Sequence, residues 1–311
     1  MTKSVIQPLE SYRLAQYVVP IPCYICETDN TYDAEFCTRC GAPMALAHQA
    51  NSQNIRPRMI AVLGPSAVGK TVFLGMLMDM LSRQPQRIQL LARGAFSITL
   101  QQTTVSALAR CEFPAKTPSE PERWNWAHCQ VRRPGSRAAA ELIMPDMAGD
   151  AILEEVDHPQ SYRVIRAYLA KCEAAMVLVD AEKLKQGRHE QDHFTMKLLS
   201  YLTELGDDGR QTWENQPLAV VLTKSDQVDS CTADPADFAR SHAAGLWQYC
   251  RERFRRHRFF ASGVAGACAT RQVPGEGRTQ VPLRIEPRGV TEPFEWVLDQ
   301  MPHKRGMTIG R

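Results

Sequence analysis

Eight consecutive residues, Gly64-Pro65-Ser66-Ala67-Val68-Gly69-Lys70-Thr71, fit the spacing G-x-x-x-x-G-K-[ST]. Each part has a chemical task. The glycines let the backbone wrap so that the N–H groups of Ser66, Ala67, Val68 and Gly69 face phosphate oxygens. Lys70 brings a point charge to the outer phosphates, and the Thr71 hydroxyl suits Mg2+. A helix starting here adds its positive N-terminal end. The alternative is a glycine turn without function. The flanks argue against it: Met59–Leu63 reads as a buried strand, and Val72–Met78 is apolar and compatible with a helix.

Two further strand ends carry acids. The apolar run Ala138–Met144, with Glu141 inside it, leads into Pro145-Asp146-Met147-Ala148-Gly149. An acid at that position suits the second side of a Mg2+ site, and the N–H of Gly149 can sense a terminal phosphate. Pro145 removes a ladder donor, which a strand end tolerates. Leu218–Leu222 is a continuous apolar strand ending in Thr223-Lys224-Ser225-Asp226. The Asp226 carboxylate can accept from N1–H and the exocyclic amine of guanine, a donor pair that adenine lacks. The Lys224 stem can lie over the base with its ammonium in water. The competing reading makes Asp226 the cap of the next helix, which would leave an ATPase open.

Near the N-terminus, Cys23-Tyr24-Ile25-Cys26 and Cys37-Thr38-Arg39-Cys40 form two C-x2-C knuckles with ten residues between them. That pattern points to a tetrahedral Zn2+ site, with disulfides as the alternative. So small a segment has little core, so metal would supply its folding energy. Few basic residues accompany it, which favours a structural or protein-docking role over nucleic-acid binding. The other six cysteines are scattered and read as small buried hydrophobes.

The elements that must hold these groups alternate along the chain. Strands are expected at Met59–Leu63, Trp124–Arg132, Ala138–Met144, Ala174–Asp180, Leu218–Thr223 and Arg258–Ala261. Helices are expected at Lys70–Arg83, Ser97–Cys111, Gln160–Lys171, His189–Leu205, Pro235–Arg253 and near Glu292–Met301. That alternation is the mark of an α/β fold with a mainly parallel sheet. Residues 263–290, rich in Gly, Pro and Arg, read as a long loop with room for a short hairpin. The expected organisation is a tail (1–22), a zinc ribbon (23–43), a linker (44–57), one α/β domain (58–301) and a second tail (302–311).

The phosphate loop, Asp146-x-x-Gly149 and Thr223-Lys224-x-Asp226, in this order on successive strands, resemble the Ras-like P-loop GTPases of the translation-factor-related class. Ser262, after Phe259-Phe260-Ala261, matches the position where such proteins set a small residue against the guanine carbonyl. Together with the pattern from Pro287 to Trp296 and the cysteine module, these features resemble bacterial double-GTPase proteins. The resemblance implies binding of GTP or GDP with Mg2+ held by Thr71 and Asp146, and hydrolysis as a switch or assembly factor. It also implies protein partners, encoded nearby, in conflict or regulatory systems. By the same resemblance a first-switch threonine should sense the γ-phosphate; Thr117, in Pro114-Ala115-Lys116-Thr117-Pro118, is preferred to Thr103 and Thr104. The long gap from Lys70 implies an inserted strand and helix, roughly 87–111. One departure matters: Asp150 stands where Ras-like enzymes often put a water-orienting glutamine, and Gln160 is the nearest glutamine downstream. A nucleotide-sensing adaptor with negligible turnover, docking through the ribbon, therefore stays open.

Composition sets the outer limits. The 311 residues are 44% hydrophobic, with 37 basic and 34 acidic side chains and a net charge of +3. Near-balance offers no electrostatic case for nucleic acid or membrane surface. The cluster from Arg251 to Arg258 reads as a solvated helix face. With no transmembrane run or signal core, the protein is expected in the cytoplasm. His48, His128 and the His189/His193 pair show no ligand spacing to a third group.

Overall fold

A computed structural model describes residues 20–52, 57–83, 88–135, 139–205, 212–273 and 277–302. Residues 1–19 and 303–311 of the expected tails, and 53–56 of the expected linker, lie outside these. The chain divides into two compact units, Met1–Pro57 and Arg58–Arg311.

In the first unit, β1 (Ile21–Pro22) pairs antiparallel with β2 (Asp29–Asn30), so the first cysteine knuckle is the loop of a hairpin. The second knuckle is closed by the bridge between Phe36 and Pro43. The stretch read as a patternless linker carries a helix, α1 (Ala45–Ser52), whose Leu46 and Ala47 are buried. Its apolar side supplies the small core that the cysteines alone lack.

In the second unit, seven strands form one sheet: β3 (Arg58–Leu63), β4 (Gln89–Arg93), β5 (Asn125–Arg132), β6 (Ala139–Asp146), β7 (Ala174–Asp180), β8 (Leu218–Thr223) and β9 (His257–Ala261). Their order is β4-β5-β6-β3-β7-β8-β9. The pairs β6–β3, β3–β7, β7–β8 and β8–β9 are parallel, and β4–β5 and β5–β6 are antiparallel. Strands β3, β7 and β8 read as unbroken apolar runs because both of their faces are covered.

The helices are α2 (Lys70–Arg83), α3 (Gly94–Ala109), α4 (Gly149–Asp157), α5 (Arg163–Leu169), α6 (Ala181–Lys185), α7 (Glu190–Leu205), α8 (Asp229–Ala233), α9 (Pro235–His242), α10 (Ala244–Arg253) and α11 (Glu292–Gln300). On one face, Phe73, Leu74 and Leu77 of α2 and Phe294 and Val297 of α11 join a core with Ile60, Val62 and Met176. The inserted strand and helix expected between Lys70 and Thr117 are β4 and α3, which extend the sheet at its antiparallel edge.

Three readings change. The helix expected over Pro235–Arg253 breaks at Ala243 (φ −143°, ψ 55°), because the buried Asp192 of α7 accepts from Leu246 N (3.0 Å) and caps a restart. A helix not foreseen, α4, begins at Gly149 itself. The long loop holds a hairpin of β10 (Ala267–Val273) and β11 (Gly277–Arg284), longer than the short one allowed for.

Because β3, β6, β7, β8 and β9 run parallel, their carboxyl ends open on one edge. The β3–β6 ladder stops at Met59 and Ile143, so the two strands part toward that edge. Such a crevice is where open α/β sheets bind ligands.

Candidate functional site

The phosphate loop leaves β3 at Leu63 and enters α2 at Lys70. Ala67 holds a left-handed backbone (φ 62°), an unusual state for a residue with a side chain. Lys70 is 6% exposed, and its Nζ donates to the carbonyls of Gly64 (2.8 Å) and Pro65 (2.9 Å). Burial pushes this ammonium down to about 8, against the opposing attraction of Asp146 and Asp150.

Thr71, Thr117 and Asp146 meet beside it. Thr71 Oγ1 donates to Asp146 Oδ2 (2.9 Å), Thr117 Oγ1 donates to the same oxygen (3.1 Å), and the two hydroxyls lie 3.0 Å apart. Asp146 is 1% exposed and its Oδ1 has no hydrogen-bond partner among the described residues. Burial raises its carboxyl above the usual range, with the Thr71 hydroxyl and Lys70 pulling it back. An orphaned buried carboxylate oxygen beside two hydroxyls is a donor set of hard oxygens. It fits Mg2+.

Gly149 abuts the loop. A Cβ built on it would lie 2.2 Å from Ser66 N and 2.4 Å from the Pro65 carbonyl carbon, so α4 starts hard against the phosphate loop. The next residue, Asp150, pairs with Lys116 (Nζ–Oδ2 2.5 Å).

At the other end, Thr223 Oγ1 donates to Val68 O (2.8 Å), tying the end of β8 to the phosphate loop. Asp226 sits in a 3-10 turn, Ser225–Gln227, and does not cap the following α8, whose N-cap is Val228, without a side-chain hydrogen bond. Its carboxylate lies so close to Gly263 that a Cβ there would be 2.8 Å from Oδ1. Ser262 is held by Ser262 N donating to Leu222 O (2.8 Å). Gly263 is braced by paired backbone bonds with Arg288 (3.0 and 2.8 Å). The solvated ammonium expected for Lys224 is corrected. Its Nζ donates to Asp180 Oδ2 (2.6 Å), a buried carboxylate that needs a counter-charge.

One cavity of about 370 Å3 joins the two ends. It is lined by Ser66–Phe73, Thr117 and Gly149 at one end and by Thr223, Lys224, Asp226 and Ser262 at the other. Of the residues singled out for phosphate, Mg2+ and base, only Gly64 and Asp146 are not in that lining; they stand behind it. Lys116, Glu182, Cys268 and Gln280 also line it, and sequence reasoning assigned them no role. Lys116 was visible beside Thr117. Cys268 and Gln280 arrive on the β10–β11 hairpin, for which no local pattern spoke.

The model of the family described as Double-GTPase 2 matches residues 58–263. The chain belongs to the Double-GTPase 2 family. No curated protein matches it. Solved structures similar to this Double-GTPase 2 chain include nucleolar GTP-binding protein 1 from Plasmodium falciparum, at 12% identity and TM-score 0.39, covering 78% of this chain and 86% of that one. The GTPase-like domain of Ski7 from S. cerevisiae, bound to GTP, is 17% identical with TM-score 0.40, covering 70% and 44%. A bacterial selenocysteine-specific elongation factor, EF-Sec, is 14% identical with TM-score 0.35, covering 66% and 25%. The chain thus spans less than half the length of the last two. Family membership supports a GTP-binding protein.

In the first unit, the sulfurs of Cys23, Cys26, Cys37 and Cys40 all lie within 4.8 Å of one another. The cross pairs Cys23–Cys40 and Cys26–Cys37 are 3.7 and 3.5 Å apart. Zn–S bonds of about 2.3 Å in a tetrahedron space sulfurs by roughly 3.8 Å, so the cluster fits zinc. A disulfide at about 2.05 Å does not describe it. Ile25 N and Asn30 Nδ2 donate to the Cys23 and Cys37 sulfurs (3.4 and 3.6 Å), as outer partners of thiolate ligands do. His48 packs edge-on to Tyr32 (4.8 Å) and His128 lies 2.9 Å from the buried Glu141. Among the described residues no helix is long and apolar enough to cross a membrane.

Proposed function

We propose that this Double-GTPase 2 protein binds GTP and GDP with Mg2+ in the cavity and hydrolyses GTP slowly, serving as a switch or assembly factor for protein partners. The observation that carries this reading is the meeting of Thr71 and Thr117, which line the same cavity as Asp226, on Oδ2 of Asp146, whose buried Oδ1 has no hydrogen-bond partner among the described residues. On this reading Lys70 exchanges its two carbonyls for phosphate oxygens, and the amides of Ser66, Ala67, Val68 and Gly69 follow it. Thr71 and Asp146 hold Mg2+, which supplies charge neutralisation at the phosphates. Thr117 and Gly149 sense the γ-phosphate. Asp226 reads the guanine edge, with Ser262 beside it and Lys224, anchored by Asp180, laying its stem along the base. The four cysteines hold Zn2+ as a structural or docking module.

A second reading, an adaptor that senses GTP against GDP with negligible turnover, is favoured by Asp150 in the place of glutamine. Calorimetric titration of the metal-replete protein with GDP, a non-hydrolysable GTP analogue, ADP and an ATP analogue, each with Mg2+, tests the shared core of both. Guanine binding at micromolar or tighter, at least about a hundredfold over adenine, is expected. Equal binding refutes Asp226 as the base reader. Single-turnover hydrolysis separates enzyme from adaptor.

A further inference from the structure

The hydrolytic water needs a partner, and the glutamine that would serve is absent. Gln160, the next one along, sits beyond the far end of α4, its N–H donating to Glu155 Oε1 (3.0 Å). A helix of nine residues separates it from Gly149, roughly 13 Å at 1.5 Å per residue. Gln227 lines the cavity beside Asp226, and Gln280 lines it from the β10–β11 hairpin. Among the described carboxylates, Asp146 is engaged with Thr71 and Thr117, and Glu182 and Asp226 lie toward the base.

Asp150 adjoins the phosphate end, next to the lining residue Gly149 though not in the lining itself. It follows Gly149, which touches the Ser66 amide, and it stands in the first turn of α4. Among the described residues its ion-pair partner is Lys116, which lines the cavity one residue before Thr117. Both side chains are well exposed, 64% for Lys116 and 48% for Asp150, so their pairing is weakly held and readily exchanged.

We infer that Lys116 and Asp150 together replace the missing glutamine, Asp150 orienting the attacking water and Lys116 meeting the γ-phosphate. This rests on the reading of the cavity as a GTP site. An arriving polyphosphate draws Lys116 from the carboxylate, since several phosphate oxygens outcompete one exposed carboxylate. Released, Asp150 accepts a hydrogen bond from water. The water oxygen bonds to the γ-phosphorus as the bond from that phosphorus to the β,γ-bridging oxygen breaks, its electron pair leaving with GDP. The water proton passes to Asp150 and from there to the inorganic phosphate. Lys116 meanwhile offsets charge on the γ-oxygens.

The test uses the full chain with zinc and Mg2+, comparing wild type with Asp150→Ala, Asp150→Gln and Lys116→Met. Single-turnover GTP hydrolysis is read beside the affinities for GDP, a non-hydrolysable GTP analogue and GDP with aluminium fluoride. Asp150→Ala should slow hydrolysis about a hundredfold. GDP affinity and unfolding temperature should stay near wild type, and binding of the aluminium fluoride complex should weaken in step with the rate. Asp150→Gln should recover much of the loss. Lys116→Met should lower both hydrolysis and analogue affinity with GDP affinity preserved. Hydrolysis unchanged in Asp150→Ala overturns the inference, as does a wild type that binds GTP tightly without turnover. Absence of guanine binding instead removes the nucleotide reading beneath it.

Discussion

Gly149→Ala is the sharpest probe of how the phosphate loop and α4 communicate. Glycine 149 is not in the left-handed region and it opens a helix, so local preference alone favours alanine by about 0.5–1 kcal/mol. Tertiary contact says the opposite. The added Cβ would sit 2.2 Å from Ser66 N, whereas ordinary contact begins at 3.4 Å, so loop or helix must yield by about 1.2 Å. Both neighbours are backbone, so no side-chain rotation relieves the overlap. Overpacking of this kind costs about 1–3 kcal/mol. The helix start is where a γ-phosphate would be sensed, so the cost should fall on the GTP state. The expected result is a drop of about 5- to 150-fold in affinity for a non-hydrolysable GTP analogue, with GDP affinity nearly unchanged, both read by calorimetry. Equal loss for the two nucleotides, or no loss at all, would refute the reasoning.

Four other outcomes follow from the same contacts. Asp226→Asn should weaken GDP binding by about a hundredfold through loss of a charge-assisted acceptor, while improving binding of xanthosine diphosphate; competition titrations check it. Thr223→Val leaves Val68 O without its hydroxyl donor and should cost about 1–3 kcal/mol in urea unfolding. Burial lowers Lys70 to about 8, so the free protein sheds this proton as pH rises through that value, whereas bound phosphates would keep the ammonium charged. Nucleotide affinity should therefore fall between pH 7 and 9 with proton uptake seen in calorimetry, and Lys70→Arg should lose that uptake. A strong chelator should release one Zn2+ per chain and remove the hydrogen-exchange protection of residues 20–52, because the metal supplies most of that unit's folding energy.

How much was legible depends on the range of the interaction concerned. The phosphate loop, the ends of β6 and β8 and the cysteine knuckles are short motifs whose backbone shape follows from local residue types. Strands β3, β7 and β8 were equally plain, because burial on both faces demands unbroken apolar runs. Thr117 could be ranked above Thr103 and Thr104 only by its setting in a loop. Its hydroxyl reaching Asp146 is a contact across 29 positions. The β10–β11 hairpin left no alternating pattern to read: Arg271 and its neighbour Gln272 are both exposed, so successive positions there do not mark opposite faces. The break at Ala243 was invisible for a different reason. Residues 235–253 suit a continuous helix, and the cap that divides it comes from Asp192, more than fifty positions away.

Residue order alone specified the chemistry on offer: a phosphate loop, two acids at strand ends and four thiols in paired knuckles, each set by neighbours along the chain. Tertiary structure decided how those groups are used. It set Asp146 beside both threonines, anchored Lys224 on Asp180 rather than in water, pressed Gly149 onto Ser66 and joined Lys116 to Asp150. These are pairings between segments brought to one edge by a mainly parallel sheet. Their energies depend on burial and distance, quantities that exist only once the chain has folded.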